Sequence, residues 1–467
     1  MIQLKKYVIF ITACLVACLL PFAGMAVRPT TASTENKALP TFPSLKAKDG
    51  HWNQDFFQEL EQYFNGRFAF RNELVYLDAK IQGSLFHVSN VDSVTYGKDG
   101  WLYYSSTLGD YLGHNRMDGR QIYSLAHNLS LAQQYVEGQG ASFVLAIPPN
   151  KNTLYGEHMP YYASHIADPT HNIDLLAPKL QELGVTYADL LGMFREEQEV
   201  LYLKRDSHWN MKGARMAYKC MMDALGDAHE DYGDAPATRA KDRDGDLNRM
   251  LYTFYGEKEL DYKYSIGDGY SYTEGTGDVE EPWIQTAGAA GSGTLLMFRD
   301  SFGNTLIPFF AGQFKKACFT KESPYGLETL MAEHHPDTVV FEKVERNLAE
   351  FTNMPPIIPA PAAKTPQDAE PVGSGTTIGI GTLEYDAAYY KISGEVDSSL
   401  VNEETDIIIQ ANGACFQAYL TGTNGYVAYL KKEDLPQFPI EASILTEDQG
   451  SYKLVKTETL GEEGMLP

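Results

Sequence analysis

The chain has 467 residues, 38 Lys and Arg against 62 Asp and Glu, and a formal net charge of −24. That length suits two or three domains at roughly 150 residues each, and an apolar share of 43% fills a core, which excludes a disordered chain. The acidic balance excludes nucleic-acid or anionic-membrane binding as the main activity, and five cysteines without metal-ligand spacing exclude a disulfide scaffold and a structural zinc site.

At the N-terminus, Lys5 and Lys6 precede an almost unbroken apolar run from Tyr7 to Val27, followed by Arg28 and Pro29. A basic start ahead of an apolar stretch is the layout of an export signal. Gly24-Met25-Ala26 supplies small residues at the two cleavage-determining positions, yet the run is also long enough to span a bilayer uncleaved. Leu15-Val16-Ala17-Cys18 resembles a lipobox but lacks the polar linker that should follow. Residues 1–27 are therefore a cleaved signal peptide or a retained anchor. Both place the body of the protein outside the cytoplasm, in the cell envelope or secreted.

A polar spacer, Thr30 to Lys37, comes next. Trp52 to Ile81 then carries Phe56, Phe57, Leu60, Tyr63, Phe64, Leu74, Leu77 and Ile81 at helical spacing. Tyr96 to Tyr103 reads as two short strands around a glycine turn. From about residue 120, strands and helices alternate. Strands are predicted at Ser142–Ile147, Val185–Tyr187, Val200–Leu203, Thr294–Phe298, Lys316–Phe319 and Thr338–Phe341. Helices are predicted to start near Gln121, Ile173, Met211, Phe302, Gly326 and Val344. This rhythm predicts an α/β domain over 34–352, with a mostly parallel sheet flanked by helices. Residues 227–292, rich in Asp, Gly and Tyr, interrupt it and read as an insertion. Residues 355–373 form a Pro/Ala-rich extended linker, and 374–467 read as a small all-β, sandwich-like accessory domain.

Open parallel sheets bind ligands beyond the carboxyl ends of their strands. Three predicted strands run there into reactive residues. Val200–Leu203 leads to Asp206, Ser207 and His208; Thr294–Phe298 leads to Arg299, Asp300 and Ser301; Ser142–Ile147 leads to Asn150 and Lys151. A serine needs a base to become nucleophilic near neutral pH, and that base needs a carboxylate to hold its tautomer. Ser301 stands where a strand meets a helix, so its backbone N–H is available to an oxyanion. Asp206 projects to the same side as His208 if the segment between them is extended. The plainer reading of these residues is helix capping. Asp49-Gly50-His51-Trp52-Asn53 repeats the Asp-x-His-Trp-Asn string with no strand before it and reads as coincidence. Asp242, Asp244 and Asp246 suggest a calcium loop, but Leu247 stands where that loop needs glycine. The sequon at Asn128 falls inside a predicted helix, a poor place for a glycan.

The segments DSHWNMKGA (206–214) and FRDSFGNTLIPFF (298–310), in that order, resemble the SGNH hydrolase-like domains of AlgX and AlgJ, and above all the DHHW family. Weaker matches are YFNGRFAFRNEL (63–74), YGKDGWLYY (96–104), IPPNKNTLYGEHMP (147–160), GDL (245–247) and FEKVERNL (341–348). The resemblance implies a permuted SGNH-hydrolase-like fold with a triad of Asp206, His208 and Ser301. It also implies an exported O-acetyltransferase that acetylates a cell-surface or secreted polysaccharide, with a membrane-bound O-acyltransferase partner supplying acetyl groups and no cofactor. With water as acceptor the same triad makes a carbohydrate esterase or deacetylase; without turnover the scaffold is a polysaccharide-binding or assembly protein. The usual Gly and Asn oxyanion blocks are not evident. The Ser301 N–H is the first candidate donor, and Asn150, Lys151, Arg299 and Asn304 stand at motif positions that suit oxyanion or substrate contacts and structural roles alike. Glu342 and Arg346, at i and i+4, read as a helical ion pair or as substrate ligands.

Overall fold

The computed structural model describes residues 2–25, 27, 40–46, 50–233, 237–252, 256–266, 269–323, 325–373, 375–383, 388–435 and 438–461. Ala26 of the cleavage motif, the spacer Thr30 to Lys37 with the domain start at 34, and Asp49 lie outside them. Ile2–Gly24 is one helix, and its segment Lys5–Gly24 is long and apolar enough to cross a membrane.

A seven-stranded sheet organises the first domain. In chain order its strands are β1 (Ser142–Ala146), β2 (Tyr187–Ala188), β3 (Tyr270–Glu274), β4 (Trp283–Gly288), β5 (Thr294–Phe298), β6 (Lys316–Thr320) and β7 (Thr338–Glu342), and they lie side by side as β2-β1-β7-β5-β6-β4-β3. The five from β2 to β6 run parallel, while β4 and β3 close one edge antiparallel. Alternate residues of each central strand go to opposite cores. Phe143, Leu145, Leu296, Phe298, Val339 and Phe341 face one; Val144, Ala146, Leu295, Met297 and Val340 face the other. A strand buried on both faces has no polar side, which is why these segments read as continuous apolar runs. Helices α1 (Gly119–Gly138), α2 (Asn172–Glu182) and α5 (Leu327–His334) cover the first core; α3 (Met211–Leu225) and α4 (Ile307–Gln313) cover the second. Caps set their starts: the Asp118 carboxylate accepts the Gln121 N–H at 2.8 Å, and the Asn210 side chain accepts the Gly213 N–H at 3.0 Å.

Four elements differ from expectation. Val200–Leu203 joins no sheet; it folds back on its own continuation, with Asn210 N donating to Leu201 O at 2.7 Å and Leu203 N to His208 O at 3.3 Å, so Asp206 and Ser207 stand at the tip of a tight loop. The segment after Val344 makes only a 3₁₀ turn (Glu345–Asn347) and a single helical turn (Glu350–Asn353) before Pro355 and Pro356 end it. The insertion 227–292 is shorter than its composition suggests, because its last two strands, β3 and β4, pair with the main sheet. The 52–81 region is two helices, Phe56–Arg67 and Arg71–Ile81; the first buries no residue, and Phe57, Leu74, Leu77 and Ile81 stay exposed.

The C-terminal region packs a five-stranded sheet against a four-stranded one around Ile392, Ile407, Ile409, Leu420, Ala428 and Ile444. The Pro/Ala-rich segment is extended but docked: Ala360 N donates to Tyr429 O, Ala363 N to Cys415 O and Gln417 N to Pro361 O, each at 2.8 Å. Helix α1 also reaches the C-terminal strands. Asn128 Nδ2 donates to Phe351 O and Leu420 O, its Oδ1 accepts Leu420 N, and Arg120 Nη1 donates to Thr405 O at 2.6 Å. The sequon asparagine is thus fully buried.

Candidate active site

The carboxyl ends of β5, β7 and β1 converge, and the first residues past them build the site. Asp300 fixes the turn after β5. Its N–H donates to Glu342 Oε2 at 2.9 Å, while its carboxylate accepts Phe302 N at 2.8 Å and Val344 N at 2.9 Å. This ties the turn to the end of β7 and leaves Ser301 at φ −70°, ψ −20°, ahead of the 3₁₀ turn Phe302–Thr305. No acceptor is found for the Ser301 backbone N–H among the described residues. Beneath the turn, Glu342 is fully buried; burial, then the charge of Asp300, holds its carboxyl well above the usual range.

The loop 203–210 brings the second half. His208 Nε2 lies 2.8 Å from Ser301 Oγ, and His208 Nδ1 lies 2.7 Å from Asp206 Oδ1, which also accepts the His208 backbone N–H at 3.0 Å. In the tautomer this supports, Nδ1–H donates to the carboxylate and Nε2 accepts the serine hydroxyl. Burial opposes the Asp206 charge, yet its hydrogen bonds with His208 and the nearby Arg243 guanidinium outweigh that cost and hold its carboxyl well below the usual range. For His208, burial lowers the pKa, but the Asp206 hydrogen bond and the charges of Asp206, Asp246 and Asp300 raise it above the ordinary value. Packing locks the two halves together. Trp209 is fully buried, stacks edge-on against Phe302 at 5.1 Å and donates Nε1–H to Thr305 Oγ1 at 2.7 Å, and the His208 ring rests 4.7 Å from Phe302.

The other sequence candidates have inward partners. Lys151 Nζ donates to the carbonyls of Leu102 and Lys204 at 2.7 Å and of Asp206 at 2.8 Å; burial pulls its ammonium down to about 7. It carries the floor of the Asp206 loop. Asn150 is fully buried, its N–H on Glu345 and its Nδ2 on Asp110. Arg299 donates to the Asn304 side-chain oxygen and to Glu281 O, and Asn304 Nδ2 donates to Glu280 at 2.9 Å, so this pair joins the serine turn to the segment before β4. Glu342 and Arg346 form no helical ion pair: Glu342 ends a strand, and the Arg346 guanidinium sits over the Tyr104 and Phe302 rings at 5.4 and 5.8 Å. Asp206, His208 and Asp246 are the described residues whose ligand atoms lie close enough to share a cation, but the hydrogen bond between His208 Nδ1 and Asp206 and the nearby Arg243 guanidinium oppose one there. The sequence reading missed Asp246 and Arg243, which touch this loop from the region read as an insertion; the GDL match at 245–247 was the available signal.

Ser301, just past the end of β5, and His208 and Asp206, on the loop beside it, form one hydrogen-bonded chain, the arrangement that serine nucleophile chemistry needs. Residues 94–277 match the family described as "SGNH hydrolase-like domain, acetyltransferase AlgX". The probable alginate O-acetylase AlgJ of Pseudomonas aeruginosa is 27% identical over 180 residues, 38% of this chain and 44% of that protein. The chain thus spans less than half the length of that relative. Among solved structures, Bacillus cereus PatB1 shares 19% identity (TM-score 0.44, 54% of this chain and 95% of that one), and a DHHW family protein from Eubacterium siraeum shares 15% (TM-score 0.42, 57% and 99%).

Proposed function

We propose that the protein is an exported O-acetyltransferase that acetylates a cell-surface or secreted polysaccharide through an acyl-enzyme on Ser301. The observation that carries this reading is the unbroken chain from Ser301 Oγ through His208 to Asp206, at 2.8 and 2.7 Å. His208 takes the Ser301 proton as Oγ attacks the acetyl carbonyl, and the Ser301 N–H stabilises the oxyanion. The imidazolium then protonates the leaving group. In the second half-reaction His208 deprotonates a sugar hydroxyl, which attacks the acetyl-serine ester, and the imidazolium returns that proton to the departing Ser301 Oγ. Asp206 keeps the tautomer and stabilises the imidazolium. A polysaccharide acceptor is the substrate class the AlgJ relationship supports, and a membrane-bound O-acyltransferase is the proposed source of acetyl groups. The N-terminal apolar helix serves as signal or anchor for export.

The test is turnover of 4-nitrophenyl acetate by the full chain, with intact-mass analysis, beside Ser301→Ala. The expected result is nitrophenol release with a 42 Da acetyl adduct, both lost in Ser301→Ala at unchanged thermal stability. Equal release by Ser301→Ala overturns the proposal. Adding soluble glycan separates transferase from esterase, since only a transferase moves the acetyl group to the glycan.

A further inference from the structure

One carboxylate beside the triad has no part in the chain of Ser301, His208 and Asp206. Asp246 opens the short helix Asp246–Leu251 and turns back onto the Asp206–His208 loop. Its Oδ1 accepts the Ser207 backbone N–H at 2.7 Å; its Oδ2 accepts the Ser207 hydroxyl at 2.5 Å and lies 3.5 Å from His208 Nδ1. The helix itself is pinned to this loop. A Cβ on Gly245 would meet Arg205 O at 2.3 Å, and Asn248 N donates to that same oxygen at 3.0 Å. Glycine at 245 therefore lets the helix come close enough for Asp246 to reach both donors of Ser207.

We propose that Asp246 is a positioning residue of this site: it clamps Ser207 and sets a second negative charge behind the imidazole, so that His208 is aimed at Ser301 and kept more basic than Asp206 alone would keep it. This rests on the triad reading above. The charges facing His208 come from several elements. Asp206 is on its own loop, Asp246 on the short helix, Asp300 on the serine turn and Glu280 on the segment before β4. Arg243 lies 3.5 Å from Asp206 Oδ2, Lys151 holds the Asp206 carbonyl, and the Arg346 guanidinium sits over the Phe302 ring. Burial and the Asp206 charge push the Asp246 carboxyl up, against His208 and the Ser207 hydrogen bonds.

The experiment compares ester turnover across pH for the full chain, Asp246→Asn, Asp246→Glu and Ser207→Ala. Asparagine keeps the shape and loses the charge. In Asp246→Asn the acid limb of kcat/KM is expected to move to lower pH, with kcat about tenfold down and KM unchanged. Asp246→Glu returns the limb toward its original position. Ser207→Ala keeps the charge and the backbone N–H bond but loses the hydroxyl half of the clamp, so kcat falls and the limb stays. An unmoved limb in Asp246→Asn overturns the proposal whatever its stability; should that variant not fold, a Ser207→Ala kcat equal to the parent overturns it. Activity retained by Ser301→Ala sinks the triad reading instead, so the two failures are distinguishable.

Discussion

At the scale of single residues, His208 is surrounded by carboxylates that favour its charged form, and this sets the sign of two pH effects. Catalysis needs neutral imidazole, so the acid limb of kcat/KM should lie above the ordinary histidine midpoint near 6.5. Folding shows the opposite dependence. A histidine pKa raised in the folded state adds stability below its unfolded value, and that contribution is lost as pH rises through the folded value. The stability gap between the parent and His208→Gln, measured by denaturant titration across pH 5 to 9, should therefore narrow toward the alkaline end. A constant gap would mean that the imidazole's charge contributes nothing to folding. The pair Asp206 and His208 could be read from the sequence because only two positions separate them. Beyond the GDL match, nothing in the sequence pointed to Asp246 or Arg243, since their contacts depend on a loop that folds back on itself 39 and 37 positions away.

At the scale of elements, the serine turn and the histidine loop meet through Trp209, Phe302 and Thr305. Trp209→Ala should cost about 3–5 kcal/mol, because it opens a cavity in a fully closed core and leaves the Thr305 hydroxyl without its donor. Chemical denaturation measures that loss, and ester turnover should fall further than stability alone accounts for. A ΔΔG below about 1 kcal/mol would show that the indole does not join the two halves. Strands β5, β6 and β7 were legible to within a residue, because strands buried on both faces must be apolar throughout. Val200–Leu203 was not. Its Val-Leu-Tyr-Leu run has the same apolar texture, but its partner is its own continuation, and pairing at such short range leaves no trace in hydrophobic pattern. The same blindness hid β3 and β4 in the Asp/Gly/Tyr-rich stretch, where the edge strand and its neighbour carry polar residues.

At the scale of the molecule, the two domains are joined by more than a linker. Asn128 makes three hydrogen bonds that bridge α1 to the backbones of Phe351 and Leu420, and backbone bonds of Ala360, Pro361 and Ala363 hold the extended segment against the β sheets. Calorimetry of the full chain should show one cooperative transition covering both domains, and Asn128→Ala should lower its midpoint by removing partners from buried groups, at a cost of about 1–3 kcal/mol. Two separate transitions, or no change in Asn128→Ala, would mean that the domains are only tethered. Deleting 374–467 would strip Tyr123, His127 and Asn128 of their cover, so the isolated first domain is the wrong object for a clean activity comparison. Docking of the segment 357–363 also sets a length scale. A tethered module would sweep a volume and let Ser301 sample any unit of a captured polymer, whereas a docked one offers a single span. The distance from the β sheets to Ser301 is therefore set by the fold and not by the reach of a free linker.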